Sequence, residues 1–323
     1  MIVRNFDWRD FALLQRVRNR GICLHSQMSY TRGPHAMRNS LLDSITRSRS
    51  IYTLVARPDE GQDPEALGQL QIRENFPQAH LAYVSPEEAL DTTSGLHLLE
   101  AAARSAGQHG CQTLVADVDE NSPSFEALRK AGFGVYARQR IWRLNQPFQG
   151  ELGPQEYTWR PELRNDRNAI RALYLNIVPA LVQQVEPPPE RNGRGQVYAE
   201  DGEMLGYLDI VRGPRGIWIQ PYFHPAAQLS DGLLTGLIQG FTPSVTRPVY
   251  VCVRSYQGGL GGSLDRLNFT PCSDQAVMVK RLAHMVSNHV QAPLPAIEGT
   301  QPEPTAPFAH FENQANPKRI QEL

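Results

Sequence analysis

Apolar residues along this chain recur with two spacings, one typical of helices and one typical of strands. In residues 7–20, Phe11, Leu14 and Val17 fall on one helical face. Short apolar runs bounded by turn residues, such as 51–56, indicate strands. Helices are predicted at residues 7–20, 36–47, 96–107, 123–131, 168–181 and 229–241. Strands are predicted at 2–4, 51–56, 67–72, 79–84, 114–118, 133–144 (one strand or two), 157–160, 196–199, 205–211, 216–223 and 248–253.

The segment 114–144 has the clearest local signals of the chain. An apolar run is followed by turn and cap residues, and Pro123 then stands where the first helical turn begins. Proline is tolerated there because its missing N–H would be unpaired anyway. Phe125 and Leu128 follow at helical spacing, and Gly132 suits the left-handed residue that ends such a helix. The segment therefore predicts strand, capped helix, glycine stop and strand.

A similar unit recurs at residues 251–282. Val115 and Phe133 are as far apart as Val251 and Phe269, and both units end in Arg-Leu. We interpret this as an internal duplication. Its length predicts two domains rather than a solenoid, whose repeats are ~20–50 residues long. The predicted organisation is a first domain at 1–146, a linker at 147–155, a second domain at 156–285 and a disordered, proline-rich tail at 286–323.

Composition and charge narrow the possible functions. A length of 323 residues is sufficient for two domains. The net charge of −1 and the pI near 6.8 argue against a general nucleic-acid or membrane-surface binder. The four cysteines have no metal-ligand spacing, which favours reduced thiols in a cytoplasmic protein and no metal. No apolar run approaches ~18 residues, and the N-terminus is charged too early for a signal peptide.

The predicted element order resembles that of the GNAT superfamily of acyl-CoA-dependent N-acetyltransferases. The residues that carry the resemblance are 98–102 before the strand 114–118, then Asn121, and then Gly132-Phe133 after the helix. The resemblance covers residues 1–145 and, more weakly, 155–284. It implies an α/β fold of two tandem domains, each with a mostly antiparallel central sheet flanked by helices.

The resemblance also implies a binding site for acetyl-CoA. In the superfamily, a turn of the form Arg/Gln-x-x-Gly-x-Gly/Ala at a helix N-terminus binds pyrophosphate, which the helix dipole favours. The matching positions are Leu90, Thr93 and Gly95, of which only Gly95 fits; the loop 225–232 of the second copy lacks the pattern, and its Asp231 would repel phosphate. The implied cofactor-binding residues are Tyr83, Val84, Thr92, Thr93, Ser94, Gly95 and Asn121.

Candidate catalytic residues follow from the same resemblance. A tyrosine that protonates the leaving thiolate often stands four residues before the glycine of Gly-Phe, but Leu128 and Leu264 occupy those positions. A general base would come from the central strands. The candidates are Glu74 and His80 in the first half, and Asp209, Tyr222 and His224 in the second.

The sequence leaves two functions open. The first is an N-acetyltransferase whose first domain binds acetyl-CoA and whose second, degenerate domain shapes the acceptor cleft. The alternative is a non-catalytic pseudo-acetyltransferase that acts as a ligand-binding or interaction scaffold. The acceptor amine is open between a small molecule, a peptide and a protein side chain, and the C-terminal tail is a candidate site for a partner.

Overall fold

The computed structural model describes residues 2–33, 51–58, 64–73, 76–147, 158–189, 193–227 and 231–282. The strands of the first half are β1 (Ile2–Asn5), β2 (Ile22–Cys23), β3 (Ile51–Arg57), β4 (Ala66–Ile72), β5 (Gln78–Ser85), β6 (Thr113–Asp119) and β7 (Gly134–Leu144). Its helices are α1 (Phe11–Val17), α2 (Ser26–Arg32), α3 (Thr93–Gln108) and α4 (Pro123–Lys130). Short 3-10 turns precede α1 (Trp8–Asp10) and α3 (Glu87–Asp91).

The second half repeats much of this order. Its strands are β8 (Arg160–Pro161), β9 (Gln196–Glu200), β10 (Glu203–Arg212), β11 (Ile217–Phe223), β12 (Val249–Arg254) and β13 (Thr270–Arg281). Its helices are α5 (Arg167–Ile177), α6 (Ala180–Gln183), α7 (Asp231–Gln239) and α8 (Leu260–Arg266). A 3-10 turn (Arg164–Asp166) again precedes the first helix.

The strands of the described residues form one sheet of 13, in the order β1-β3-β4-β5-β6-β13-β7-β12-β11-β10-β9-β8, with β2 beside β5. Neighbouring strands are antiparallel except at β5–β6 and β11–β12, which are parallel. The predicted class, an α/β fold with a mostly antiparallel sheet flanked by helices, is confirmed.

Each half places its last strand in the part of the sheet that the other half builds. β13 lies between β6 and β7, so that Val277 pairs with Asp117 on one side and Ala137 on the other. β7 in turn pairs with β12 of the second half, for example at Trp142 and Val251. The hydrogen bonds of the sheet therefore tie the halves together at its centre.

Helices cover both faces of this sheet, and successive strand residues alternate between the two cores. Leu114 and Met278 pack with α3 and α4, whereas Val115 and Val277 pack with α5 on the opposite face. α7 and α8 pack with Trp142 against β10, β11 and β12. α1 has a separate small core over β3, β4 and β5. The face of the sheet that carries α1, α2 and α5 also holds the central cavity described below.

The local signals around α4 are confirmed. Pro123 begins the helix, and the Oγ of Ser122 accepts a hydrogen bond from the N–H of Phe125 at 3.3 Å. Gly132 has a φ of +85°, in the left-handed region where glycine has no Cβ penalty. Asn268, at the equivalent place after α8, has a φ of +63°. Both helices thus end in the same backbone conformation.

A second repeated feature was not predicted. Arg4 donates to both carboxylate oxygens of Asp10, at 2.7 and 2.8 Å. Arg160 donates in the same way to Asp166, at 2.6 and 2.7 Å. Each pair joins the first strand of its half to the 3-10 turn before the first helix. The duplication itself stays a prediction, which these paired features support.

Some predictions fall outside the described residues, namely the helix at 36–47, Glu74, residues 148–155 of the linker and the tail from 286. The sequence did not predict β2 or α2. Within the described ranges, no helix has the length and apolarity needed to cross a membrane. These ranges also contain no cluster of three or more His, Cys, Asp or Glu side chains that could hold a metal ion.

Candidate active site

Two open wedges interrupt the sheet at equivalent places. β5 and β6 pair in parallel from Gln78 to His80, and β11 and β12 pair in parallel from Ile217 to Ile219. Beyond these short stretches no pairing joins the two strands of either couple within the part of the chain that the structure describes. The facing edges of each couple therefore need partners other than each other.

The wedge of the first half is filled by the protein's own chain. β2 pairs with β5 there, with Ile22 opposite Val84. The N–H of Leu24 donates to the carbonyl of Ala82 at 3.0 Å, and the carbonyl of Leu24 accepts from the N–H of Asp117 at 2.8 Å. Leu24 thus joins β5 to β6 by backbone hydrogen bonds on both sides.

The start of α3, beside this wedge, is closed by its own turn. The hydroxyl of Thr92 accepts from the N–H of Gly95 at 3.3 Å and donates to the carbonyl of Ala89 at 2.7 Å. A Cβ built at Gly95 would lie 2.0 Å from the carbonyl oxygen of Ala89, so the glycine is required by this packing. The 3-10 turn Glu87–Asp91 also brings three carboxylates to this end of the helix.

Among the described residues, it is a side chain that spans the wedge of the second half. The carboxamide of Gln257 accepts from the backbone N–H of Arg254 at 2.9 Å. It also donates to the backbone carbonyl of Pro221 on β11. One primary amide therefore bridges the two diverging strands. Gln257 stands in the repeat at the position that Asn121 holds in the first half.

A cavity of about 420 Å³ lies beside this second wedge, along the glycine-rich segment that leads into α8. Gly258 and Gly259 line it, and apart from adjacent residues of the chain no described residue has an atom within 4 Å of a Cβ built at either position. Gly261 differs, because its Cβ would lie 3.2 Å from the ring of Trp142. The first two glycines therefore face open space rather than packed side chains.

A second cavity, of about 170 Å³, lies between the halves on the face that carries α2 and α5. Polar lining residues come from both halves: His25, His80 and Asp117 from the first, and Asp209, Glu186 and Arg254 from the second. Gln139 and Arg254 line both this central cavity and the cavity beside the second wedge. The two spaces are therefore neighbours.

Arg254 and Glu186 form a buried ion pair on the wall of the central cavity. Their side chains are 7% and 14% exposed, and Nη2 of Arg254 donates to the carboxylate of Glu186. The same carboxylate accepts from the hydroxyl of Tyr136 at 2.5 Å. Burial and then the charge of Glu186 raise the pKa of Tyr136 well above its usual value, so this phenol stays protonated.

Asp209 lies next to the apex of the second wedge. It pairs across β10 and β11 with Gln220, the residue that follows the last pair between β11 and β12. Burial, with a smaller contribution from the charge of Glu162, raises the pKa of Asp209 to about 6. A carboxylate with a pKa in this range is suited to exchange protons near neutral pH.

Two stacked histidines form another part of the wall. The rings of His25 and His80 lie 4.2 Å apart and 16° from parallel. Burial, and then nearby positive charge from Arg73, lowers the pKa of His25 to about 4. Burial and the charge of His25 lower the pKa of His80 well below its usual value. Both rings are therefore neutral at pH 7.

The arrangement can be compared with known proteins. No protein-family model matches the sequence, and no curated protein matches it. Among solved structures, a GCN5-related N-acetyltransferase from Sphaerobacter thermophilus superposes with a TM-score of 0.54 at 12% identity, over 87% of this chain and 95% of that chain. This chain has the GNAT fold.

Further structures of the GNAT fold superpose less closely. A tandem GNAT protein from the clavulanic acid biosynthesis pathway has a TM-score of 0.46 at 17% identity, over 72% of this chain and 83% of its own. A GCN5-related N-acetyltransferase from Kribbella flavida has a TM-score of 0.46 at 14% identity, over 77% of this chain and 96% of its own. The Sphaerobacter thermophilus structure confirms the predicted resemblance to this superfamily at the level of the fold.

Within this GNAT fold, the residues predicted to bind cofactor lie around the first wedge. The hydroxyl of Tyr83 donates to the carbonyl of Arg18 at 3.1 Å, and Val84 pairs with β2. Ser94 is buried and Thr93 exposed at the start of α3. The N–H of Asn121 donates to the side chain of Asp119 at 2.8 Å. Their roles toward acetyl-CoA stay predictions, as does that of His80 as a base.

Sequence reasoning did not find Gln257, Arg254 or Glu186. The repeat held a signal for Gln257, because counting from Val251 as from Val115 places it over Asn121. Arg254 and Glu186 are far apart in sequence and meet only through the packing of the loop after α6 against β12, so no local pattern marks them. Of the second-half bases considered, Asp209 and Tyr222 line the central cavity.

Proposed function

We propose that this protein is an N-acetyltransferase that binds acetyl-CoA in the wedge of its second half and an amine in the central cavity. The observation that carries the proposal is the carboxamide bridge of Gln257 between β11 and β12. It satisfies a backbone N–H and a backbone carbonyl that face the wedge. The pantetheine arm of CoA is an extended chain with two amides, which offers the same donor and acceptor pair once Gln257 turns aside.

The proposal differs from the sequence-based expectation, which favoured the first half. There, Leu24 makes the bridging hydrogen bonds with its own backbone, which a rotamer change cannot release. Three carboxylates of the turn Glu87–Asp91 also lie at the start of α3. Glu88 and Asp91 are paired with Arg20 and Lys130, and the charge of Glu87 opposes a pyrophosphate there. In the second half, the open space beside Gly258 and Gly259 provides room for the arm.

The chemistry assigned to this site is acyl transfer to an amine. Asp209, next to the wedge apex, takes a proton from the bound ammonium and leaves a neutral amine. The amine nitrogen then forms a bond to the thioester carbonyl carbon as the carbon–sulfur bond breaks. The second proton of the nitrogen passes to the departing thiolate, so the products are an amide and the free thiol of CoA. Holding the two reactants side by side supplies much of the rate.

Acetyl-CoA binding by calorimetry tests the proposal. Gly258→Trp adds a large side chain at a residue that lines the cavity beside the second wedge, and the Cβ itself meets nothing within 4 Å among described residues. We expect the unmodified chain to bind acetyl-CoA in the micromolar range and Gly258→Trp to bind at least tenfold more weakly. The matched control is Gly107→Trp on α3, where a Cβ again meets nothing within 4 Å among described residues. It should bind as the unmodified chain does.

Two results would contradict this proposal. One is the absence of binding at near-millimolar acetyl-CoA, and the other is Gly258→Trp binding as tightly as Gly107→Trp. With an acceptor in hand, kcat should fall as the pH drops below about 6, because Asp209 must be ionised to take the proton. A flat profile through that range would remove Asp209 from the mechanism.

A further inference from the structure

The guanidinium of Arg254 has hydrogen-bonding capacity that the fold does not use. Its side chain is 7% exposed, and Nη2 is bound to Glu186. Nε and Nη1 are buried and have no hydrogen-bond partner among the residues that the structure describes. A buried donor without an acceptor is costly, and the cost is greater for a charged group. Arg254 is one of the residues that line the central cavity, so an acceptor bound there would lie beside this guanidinium.

Anionic oxygen suits these donors better than a neutral carbonyl does. Hydrogen bonds between a guanidinium and a carboxylate are charge-assisted and are about twice as strong as neutral ones. The single carboxylate already bound, that of Glu186, is occupied by Tyr136 as well as by Arg254. A second carboxylate, supplied by a ligand, would therefore fill the remaining donors.

Other groups on the cavity wall suit a positive charge. Asp117 and Asp209 both line the cavity, which also has a second cationic side chain, Arg73, on its wall. Asp117 accepts a hydrogen bond from the N–H of Ser26 at 2.8 Å, which leaves further acceptor capacity on its carboxylate. The wall thus combines guanidinium donors with carboxylate acceptors, a pattern complementary to a zwitterion.

The volume of the cavity limits the size of that zwitterion. Its 170 Å³ is below the ~300–1,000 Å³ of pockets that hold drug-sized ligands. The adjacent residues Pro187, Pro188 and Pro189 form part of its lining and have no side-chain donors. The space suits a molecule of a few heavy atoms rather than a protein loop.

We infer that the acceptor is a small amino acid whose carboxylate binds the guanidinium of Arg254 and whose amino group lies against Asp209. The inference rests on the proposed function and names its substrate class. Arg254 then selects and positions the acceptor, while Asp209 receives the proton of the amine that is to be acylated.

A ligand series on the unmodified chain tests the inference first. Standard amino acids, their methyl esters and the matching decarboxylated amines are offered in the presence of saturating acetyl-CoA, and binding is followed by calorimetry and turnover by release of the CoA thiol. We expect at least one amino acid to bind tenfold or more tightly than both its ester and its amine. Equal affinity of acid and ester, or no amino-acid binding beside intact acetyl-CoA binding, would overturn the inference.

Variants locate the carboxylate. Arg254→Lys keeps a positive charge beside Glu186 but removes the guanidinium donors, and it should erase the preference for the acid over the ester. Arg129→Lys on the surface of α4 is the matched control and should leave the preference unchanged. Should Arg254→Lys fold poorly, Arg254→Gln combined with Glu186→Gln removes the ion pair without leaving an unpaired charge. If either variant folds and still binds the acid more tightly than the ester, the inference is also overturned.

Two comparisons separate the possible failures. Acetyl-CoA binding is first measured alone, and its absence counts against the proposed function. If acetyl-CoA binds but amino acids bind no better than their esters, the result counts against this inference only. Succinyl-CoA is compared with acetyl-CoA as the donor. A donor preference of tenfold or more for succinyl-CoA that Arg254→Lys abolishes would move the carboxylate to the acyl group and overturn the acceptor assignment.

Discussion

At the scale of single residues, His25 couples the stability of the fold to pH. Its pKa is about 4 in the folded chain and about 6.5 when unfolded, so between these values the unfolded chain binds the extra proton. Stability from this group is fully present above pH 6.5 and is lost as the pH falls through 4. We expect the free energy of unfolding to fall by about 1–3 kcal/mol between pH 7 and pH 5 on this account.

Urea denaturation of His25→Phe against the unmodified chain measures this contribution. Phenylalanine keeps a flat ring against His80, at the place of the present 4.2 Å stack, but cannot take a proton. Its unfolding free energy should change less between pH 7 and pH 5 than that of the unmodified chain. His97→Phe, on the exposed surface of α3, is the control for loss of a histidine. Parallel pH profiles of His25→Phe and the unmodified chain would refute the prediction.

Residue-scale prediction from sequence succeeded where the signal is local. Pro123 and Gly132 take their roles from the backbone within one turn, and each is found where the pattern put it. The polar groups of the central cavity are different. In the sequence, Arg254 is simply the last residue of a strand. Its contact with Glu186 depends on tertiary packing, and the residues between them carry no pattern that predicts it.

At the scale of elements, Asp10 joins β1, β3 and α1. Its fully buried carboxylate accepts from both terminal nitrogens of Arg4, from Arg57 at 2.9 Å and from the N–H of Asp7 at 2.8 Å. Asn at this position would remove the charge and turn one acceptor into a donor. We expect Asp10→Asn to lower the free energy of unfolding by about 3 kcal/mol, because the cations beside it lose their partner.

Two substitutions calibrate this expectation in the same denaturation experiment. Asp7→Asn changes the exposed acid that caps the same turn, where Asn caps equally well, and should cost about 0.5 kcal/mol or less. Asp166→Asn changes the equivalent acid of the second half, whose side chain is 11% exposed, and should cost less than Asp10→Asn. A cost for Asp10→Asn no larger than that for Asp7→Asn would show that the buried cluster does not stabilise the fold.

Most helices and strands could be predicted because their periodicity is a property of the element itself. β2 could not, because two residues have no period and their pairing with β5 depends on the wedge. The sequence also did not predict that β13 lies between β6 and β7, or that β7 pairs with β12. Alternation fixes which side of a strand is buried, but an apolar strand alternates in the same way beside either neighbour.

At the scale of the whole molecule, the two halves depend on each other. β7 has second-half strands on both sides, β13 on one and β12 on the other. We expect residues 1–146 and 156–285, expressed separately, to lack a cooperative thermal unfolding transition by circular dichroism, because each loses central strand pairing. Expressed together, they should associate one to one and regain the transition.

The control for this split is a chain that ends at residue 285, which keeps every described strand. It should unfold with the midpoint of the full chain. A cooperative transition in either isolated half would contradict the interdependence inferred from the sheet.

The position of β13 between β6 and β7 also affects the chain while it is being synthesised on the ribosome. β6 ends at Asp119, whereas its partner β13 begins at Thr270, near the end of the described chain. At ~5–20 residues per second, a ribosome needs roughly 8–30 s to supply that partner. During this time one edge of β6 and both edges of β7 lack some or all of their final neighbours, and unpaired edges favour aggregation. The nascent chain is therefore most vulnerable once β6 and β7 have been made, and that period ends only when β13 follows.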